Sequence, residues 1–189
     1  MDLERPLQPP PSSPDYSAIA DPARLEVVAS TGLLGRIHDP ALDDIVERLT
    51  TGGVAPICAV IVVDAYRQVF ASSAGLPEPW RALREAPLAR SRSQFVVASR
   101  RPLVIDDAET APPVSTPMAM VDRGIRAWLG LPLVGTGRQV VGVLALMDEQ
   151  PRRWLPDALR LAGEGVARAN AAIERRIARR AAAQSRPAG

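Results

Sequence analysis

Residues 125–154, IRAWLGLPLVGTGRQVVGVLALMDEQPRRW, constrain the fold more than any other segment of the chain. Two apolar runs, at about 126–134 and 139–147, flank Gly135-Thr136-Gly137. Glycine tolerates the positive φ that tight hairpin turns require. The second run is almost continuously apolar, which is typical of a strand covered on both faces. The segment therefore predicts two antiparallel strands within a sheet. A break at 148–151 then leads into a helix.

Composition limits the chain to a few classes of protein. Its 189 residues are 47% hydrophobic, which is enough for one domain with a sizeable core and short tails. There is no apolar run of about eighteen residues, and no basic region followed by an apolar core at the amino terminus. Neither a membrane span nor a secretory signal is predicted, and the expected location is cytoplasmic. Cys58 is the only cysteine, which excludes an intramolecular disulfide and a multi-cysteine metal or iron–sulfur site.

Three segments are expected along the chain. Residues 1–20 are rich in proline and serine and predict a disordered arm. Residues 21–180 form the domain, and residues 181–189 are expected to be a disordered tail. Aspartate followed by proline at 21–22 and 39–40 predicts two helix starts, because aspartate caps a helix and proline suits its first turn. Further predicted elements are strands at 54–64, 67–72 and 103–105, short helices at about 80–84 and 93–100, and a long helix over 156–180.

The long last helix carries an apolar stripe whose members are spaced mostly by four and three residues. Such spacing places them on one face, which can pair with another helix. We expect two copies of the chain to dimerise through the first and last helices. The candidate dimer seam on the last helix consists of Leu159, Ala162, Val166, Ala169, Ile173 and Ile177.

Four motifs in order resemble those of GAF domains. The first is TGLL at 31–34 followed by ALDDI at 41–45, and the second is VIVVD at 60–64 followed by Arg67-Gln68. The third is Ser93 followed by RPLVIDDA at 101–108, and the fourth is the hairpin of 125–154. Together they cover about residues 24–177, so the chain is similar to stand-alone bacterial GAF domains.

This resemblance implies an α+β fold with a GAF-like or PAS-like central antiparallel sheet. About five or six strands would be flanked by helices, with long helices at both termini. The family places its ligand between the sheet and the helices and loops that cover one face. The candidate ligand pocket here consists of Phe95, Asp106, Met118, Met120, Arg123, Ile125 and Trp128. Either a small-molecule pocket or a simple filled core is compatible with these side chains.

The resemblance also implies a regulatory role, and the chain is not expected to be an enzyme. The leading hypothesis is a non-catalytic, cytoplasmic sensory domain without a cofactor. It would form a homodimer, bind a small molecule and relay a signal through its terminal helices to a separate signalling protein. The alternative is a ligand-free dimeric scaffold that docks another protein through its N-terminal arm or its arginine-rich last helix. Methionine sulfoxide reductases of this fold use several cysteines, whereas this chain has one. The sequence also contains no nucleophile motif and no phosphate-binding loop.

Other polar groups favour structural roles. Cys58 lies in an apolar run and is expected to pack as a small hydrophobic residue. His38 is expected to be exposed or to cap a helix, and no metal site is predicted. The carboxylates at 106–107 and Glu109 are expected to cap the following loop or to pair with Arg123 or Arg126. All 23 basic residues are arginine, and the net charge is +2. Arginines of the last helix favour a solvated face over nucleic-acid binding, because no aromatic stacking residues accompany them.

Overall fold

The computed structural model describes residues 15–35, 38–88, 91–110 and 124–185. A 3₁₀ helix at Tyr16–Ala20 precedes five α-helices and six strands. The helices are α1 (Pro22–Thr31), α2 (Pro40–Thr51), α3 (Trp80–Leu83), α4 (Arg92–Ser99) and α5 (Pro156–Gln184). The strands are β1 (Ile57–Val63), β2 (Arg67–Ala74), β3 (Glu85–Pro87), β4 (Leu103–Ile105), β5 (Ala127–Val134) and β6 (Val140–Asp148).

The first two long helices begin where the aspartate-proline pairs predict. The Asp21 carboxylate accepts a hydrogen bond from the Ala23 amide, and proline follows as the first helical residue of α1. The Asp39 carboxylate accepts from the amides of Ala41 and Leu42 at the start of α2. Each cap satisfies amide groups that have no partner within the helix, which fixes the helix boundary locally.

A single antiparallel sheet has the strand order β3-β2-β1-β6-β5-β4. The predicted hairpin supplies two adjacent inner strands: β5 pairs with β6 from Ala127 opposite Asp148 to Val134 opposite Val140. Gly137 in the connecting turn has φ +62°, as a tight turn requires. The predicted α+β architecture, with its six strands and long C-terminal helix, is confirmed.

Each face of the sheet supports its own hydrophobic core. Leu42, Leu129, Leu144 and Ile173 belong to the core between the sheet and α1, α2 and α5. The opposite core lies between the sheet and α4 with the 3₁₀ helix, and includes Phe95 and Trp128 among its buried residues. Because successive strand residues point to opposite faces, β5 and β6 contribute to both cores.

The stripe on α5 packs within its own chain. Ala162, Val166, Ala169 and Ile173 are buried in the core against the sheet, α1 and α2, and Leu159 and Ile177 pack against its margin. The stripe is therefore a contact of α5 with the rest of its own chain, and dimerisation through the first and last helices stays a prediction. A helix that covers a sheet and a helix that pairs with another helix require the same apolar spacing.

The structure differs from the sequence-based expectation near both termini and at one strand. Residues 1–14 of the expected disordered arm lie outside the described residues, but Tyr16–Ala20 forms a 3₁₀ helix that buries Ile19. The strand β3 was not predicted, since it has three residues and ends in proline. The last helix continues to Gln184, four residues beyond its predicted end. No helix within the described ranges combines the length and apolarity needed to cross a membrane.

Candidate functional site

The sheet face beneath α4 carries the described part of the candidate pocket. Trp128 on β5 pairs with Ile105 on β4 and with Met147 on β6, and its indole lies over Gly130. A Cβ added to Gly130 would lie 2.0 Å from Cη2 of Trp128. Glycine at this position therefore makes the space in which the indole lies flat against the sheet.

The structure brings together only some of the predicted pocket residues. Phe95, Ile125 and Trp128 are buried and belong to the same core. Asp106 is exposed at the end of β4, where its carbonyl accepts a hydrogen bond from the Arg152 amide. The remaining three predicted residues, Met118, Met120 and Arg123, lie outside the described residues. The three described pocket residues that the structure brings together are thus apolar, and Asp106 lies apart from them at the end of β4.

Arg126 forms ion pairs with the acidic side chains that follow β4. Both oxygens of Asp107 accept hydrogen bonds from Arg126, at 2.8 Å to Nη2, and Glu109 approaches the same guanidinium at 2.9 Å. The hydrogen bond from Arg126 and then that from the Glu109 amide lower the pKa of Asp107 from its ordinary 3.8. The acidic residues therefore act as an ion-paired turn, as the sequence-based interpretation proposes.

A buried polar cluster joins the start of α4 to the sheet, and sequence reasoning did not find it. Gln68 on β2, Ser91, Arg92 and Ser93 are all buried. The Ser91 hydroxyl donates to Oε1 of Gln68 at 2.5 Å and accepts from the Ser93 amide as the cap of α4. The cap could have been recognised from the serine that precedes the helix. The burial of Gln68 has no counterpart in the sequence pattern.

Arg24 is a second buried polar residue that the sequence does not reveal. Its guanidinium donates to the carbonyls of Ile19 at 2.5 Å and 3.0 Å, of Val63 at 2.9 Å and of Val140 at 3.2 Å. Burial lowers the pKa of Arg24, and the nearby carboxylates of Asp21 and Asp64 oppose that shift. This single side chain fixes α1 and the 3₁₀ helix to the ends of β1 and β6.

The junction of α1, α2 and α5 is held by another arginine. Nε of Arg176 donates to the Thr31 carbonyl at 2.7 Å, and Nη1 donates to the Asp39 carboxylate at 3.2 Å. The guanidinium of Arg180 lies beside Gly32, one turn further along α5. Positive charge at the C-terminus of α1 is favourable because the last carbonyls of a helix carry partial negative charge. Arg176, in the arginine-rich stretch, therefore joins α5 to the end of α1 and the start of α2.

The His38 side chain is 77% exposed, as expected, and its Nδ1 lies 2.7 Å from the Asp43 carboxylate. The same carboxylate accepts a hydrogen bond from the Ser72 hydroxyl, so α2 is attached to β2. Cys58 is buried, and burial raises the pKa of its thiol. Among the described residues, no group of three or more histidine, cysteine and acidic side chains is arranged to hold a metal ion.

Several solved structures share this architecture at low sequence identity. The GAF domain of a phosphoenolpyruvate-protein phosphotransferase from Acinetobacter matches with a TM-score of 0.58 and 19% identity, over 80% of this chain and 90% of that one. A methyl-accepting chemotaxis protein matches with a TM-score of 0.62 and 16% identity, over 85% and 99%.

A third structure corrects one expectation. The free methionine-R-sulfoxide reductase from Neisseria meningitidis, in complex with its substrate, matches with a TM-score of 0.58 and 17% identity, over 85% of this chain and 91% of that one. The prediction that the chain is not an enzyme was drawn from its resemblance to a regulatory family. Since an enzyme has the same fold, that resemblance does not exclude catalysis.

Comparison of sequences gives the family. None of the curated proteins compared with the chain matches its sequence. The family model for the GAF domain matches residues 38–173, from the start of α2 into α5. This range contains all six strands and most of both cores, and it agrees with the fold of the solved GAF structures. The chain therefore belongs to the GAF domain family.

Proposed function

We propose that the chain is a sensory GAF domain that binds a small molecule on the sheet face beneath α4. A change of packing there would be relayed through α1 and α5 to a separate signalling protein. The chemotaxis protein of similar fold supports this proposal, because chemotaxis is a signalling process. Apolar contact would come from Phe95, Ile125 and Trp128, and polarity from the ion-paired end of β4.

The observation that carries the proposal is that β5 serves both cores. Trp128 lies on the α4 face, whereas its neighbours Ala127 and Leu129 are buried on the face that α5 covers. A ligand that moved the indole would shift the backbone of β5, and with it the residues beneath α5. Asn170 on α5 also accepts a hydrogen bond from the Val134 amide on this strand. Only a ligand that favours one of two arrangements of these elements could transmit a signal.

The relay would end at the junction of α1 and α5. Arg176, in the C-terminal third of α5, links that helix to the last turn of α1 and the cap of α2. A homodimer is also part of the proposal. Since the apolar stripe of α5 is used within the chain, the two copies would meet through the outward faces of α1 and α5.

Native mass spectrometry of the protein purified from its own or a closely related host tests this function. We expect a dimer that carries a defined extra mass. Phe95→Leu, on the proposed ligand face, should lose the extra mass, whereas Leu49→Met, on the opposite face, should keep it. A protein with no extra mass, and no thermal shift with a metabolite extract of the host, would refute ligand binding.

One observation favours a second candidate function, a ligand-free scaffold. Phe95, Ile125 and Trp128 are each at most 4% exposed and already contact a common core. In that case function would lie in docking a partner through the N-terminal arm or the arginine-rich helix. Deleting residues 1–14 leaves the contact of Ile19 with Arg24 intact. Loss of partner pull-down at unchanged thermal stability would support the arm, and retained pull-down would exclude it.

A further inference from the structure

The sheet face on which we propose that the ligand binds is closed in this structure. Its described residues Phe95, Ile125 and Trp128, which we call the ligand face, are each at most 4% exposed. A small molecule can therefore reach them only when an element that covers them moves away. The helix α4 packs on this side of the sheet, against β1, β5 and β6. The contacts that hold α4 in place therefore control access to the ligand face.

The helix α4 is short and depends on its contacts with other elements. It runs over Arg92–Ser99, and isolated helices shorter than about 12–15 residues are marginal in water. At its start, Ser91 caps the helix and donates to the buried side chain of Gln68. After its end, the exposed Arg100 donates to the Gln139 side chain at 3.0 Å. Both hydrogen bonds hold the ends of α4, so the position of its middle depends on packing.

The 3₁₀ helix at Tyr16–Ala20, which we call the latch, packs against both α4 and α1. Ile19 is the buried residue of the latch and belongs to the same hydrophobic core as Phe95. The carbonyl of Ile19 accepts hydrogen bonds from Nε of Arg24 at 3.0 Å and from Nη2 of the same residue. Ile19 therefore connects the core beneath α4 to α1, through its side chain on one side and its carbonyl on the other.

Arg24 attaches the latch firmly to the rest of the domain. Its Nη1 donates to the carbonyls of Val63, at the end of β1, and of Val140, at the start of β6. The contact with α4 is weaker, because Ile19 is the only residue of the latch that is buried. A 3₁₀ helix also has poorer hydrogen-bond geometry than an α-helix. When α4 moves away from the sheet, the packing of Ile19 is therefore the contact with the latch that is lost.

We propose that the latch holds α4 closed over the ligand face, and that the packing of Ile19 sets how often this face opens. The inference rests on the proposed function and adds a route by which the ligand would act on α1. A ligand that displaced α4 would displace Ile19, and the hydrogen bonds to the Ile19 carbonyl would carry this displacement to Arg24. The GAF family model matches from residue 38 onward, so the latch lies outside the matched range.

Hydrogen exchange of the full chain, followed by mass spectrometry, tests the latch. Ile19→Ala should accelerate exchange across residues 92–99 at least about tenfold more than across α5. The matched control is Ile45→Ala, because Ile45 is buried in the opposite core. In this control the exchange of α4 should not accelerate more than that of α5. Ile19→Val removes one methyl group and should give the same pattern at about twofold to tenfold, even where the alanine variant fails to fold.

Unchanged exchange of α4 in the Ile19 variants that fold would overturn the proposal. Equal acceleration in α4 and α5 would also overturn it, because Ile19 would then support the whole fold instead of the position of α4. Where the purified protein carries an extra mass, Ile19→Ala should release that molecule on dilution faster than Ile45→Ala, and equal rates would exclude control of access. If neither an extra mass nor a thermal shift is found, the proposed function fails, and hydrogen exchange alone decides whether the latch holds α4.

Discussion

Arg24 offers the sharpest test of how this fold is held together. Arg24 is 2% exposed, and its guanidinium reaches the carbonyls of Ile19, Val63 and Val140 from α1. We expect Arg24→Met, which keeps the aliphatic length but removes the donors, to destabilise the protein. Arg24→Lys keeps the charge and some donors, but an ammonium group cannot match the planar fork.

The expected loss of stability follows from the carbonyl groups that Arg24→Met would leave without a donor. A buried carbonyl that loses its donor costs about 1–3 kcal/mol, and three are affected. Removing the guanidinium also relieves its own desolvation, which in proteins costs several kcal/mol. The difference predicts a net loss of about 2–4 kcal/mol for Arg24→Met. Arg24→Lys should lose about half of that, since an ammonium retains only some of the bonds.

Urea unfolding followed by far-UV circular dichroism and tryptophan fluorescence measures this loss. The midpoint should fall at an unchanged m-value, and the melting temperature should drop by roughly 5–15 °C. Arg24→Met within 0.5 kcal/mol of the unchanged protein would refute the reasoning. It would mean that desolvation of the guanidinium cancels its hydrogen bonds and that Arg24 does not fix α1 to the sheet.

Three further predictions concern the candidate site and the helix junction. Gly130→Ala should cost about 1–3 kcal/mol by overpacking, and combining it with Trp128→Leu should cost less than the sum of the two single losses in urea unfolding. Arg176→Gln should cost about 1–2 kcal/mol through its lost bonds to carbonyl and carboxylate, whereas Arg168→Gln on the same helix should cost less than about 0.5 kcal/mol; equal losses would contradict the assigned role of the junction. The folded-state pKa of Asp107 lies below its ordinary 3.8, so its stabilising effect is present above that value and is lost as the pH falls through the folded-state pKa. Thermal melts of Asp107→Asn and the unchanged protein should therefore differ at neutral pH and converge in acid.

Elements with local signals were predicted well. The starts of α1 and α2 follow from aspartate caps and adjacent prolines, and those caps make the expected hydrogen bonds. The hairpin of β5 and β6 follows from two apolar runs around a glycine turn. In contrast, β3 has only three residues, and its pairing with β2 depends on where the chain returns after α3. No pattern within three residues specifies such a pairing.

The candidate site was predicted in part. Phe95 on α4, Ile125 just before β5 and Trp128 on β5 share one core. Asp106 follows β4 and is exposed, since a residue after a strand end is not held to either face. The buried polar cluster of Gln68 and Ser91 was missed. Its members are far apart in sequence, and polar residues in isolation predict exposure.

The sequence by itself determined which faces are apolar, where helices begin, and the family to which the chain belongs. These properties depend on residues within a few positions of one another. Only the tertiary structure decided what each face contacts. The stripe of α5 packs against its own sheet, Arg24 is buried among carbonyls, and Arg176 joins α5 to the end of α1 and the cap of α2. Apolar spacing and charge are local, whereas the partner of a side chain depends on segments that folding brings together.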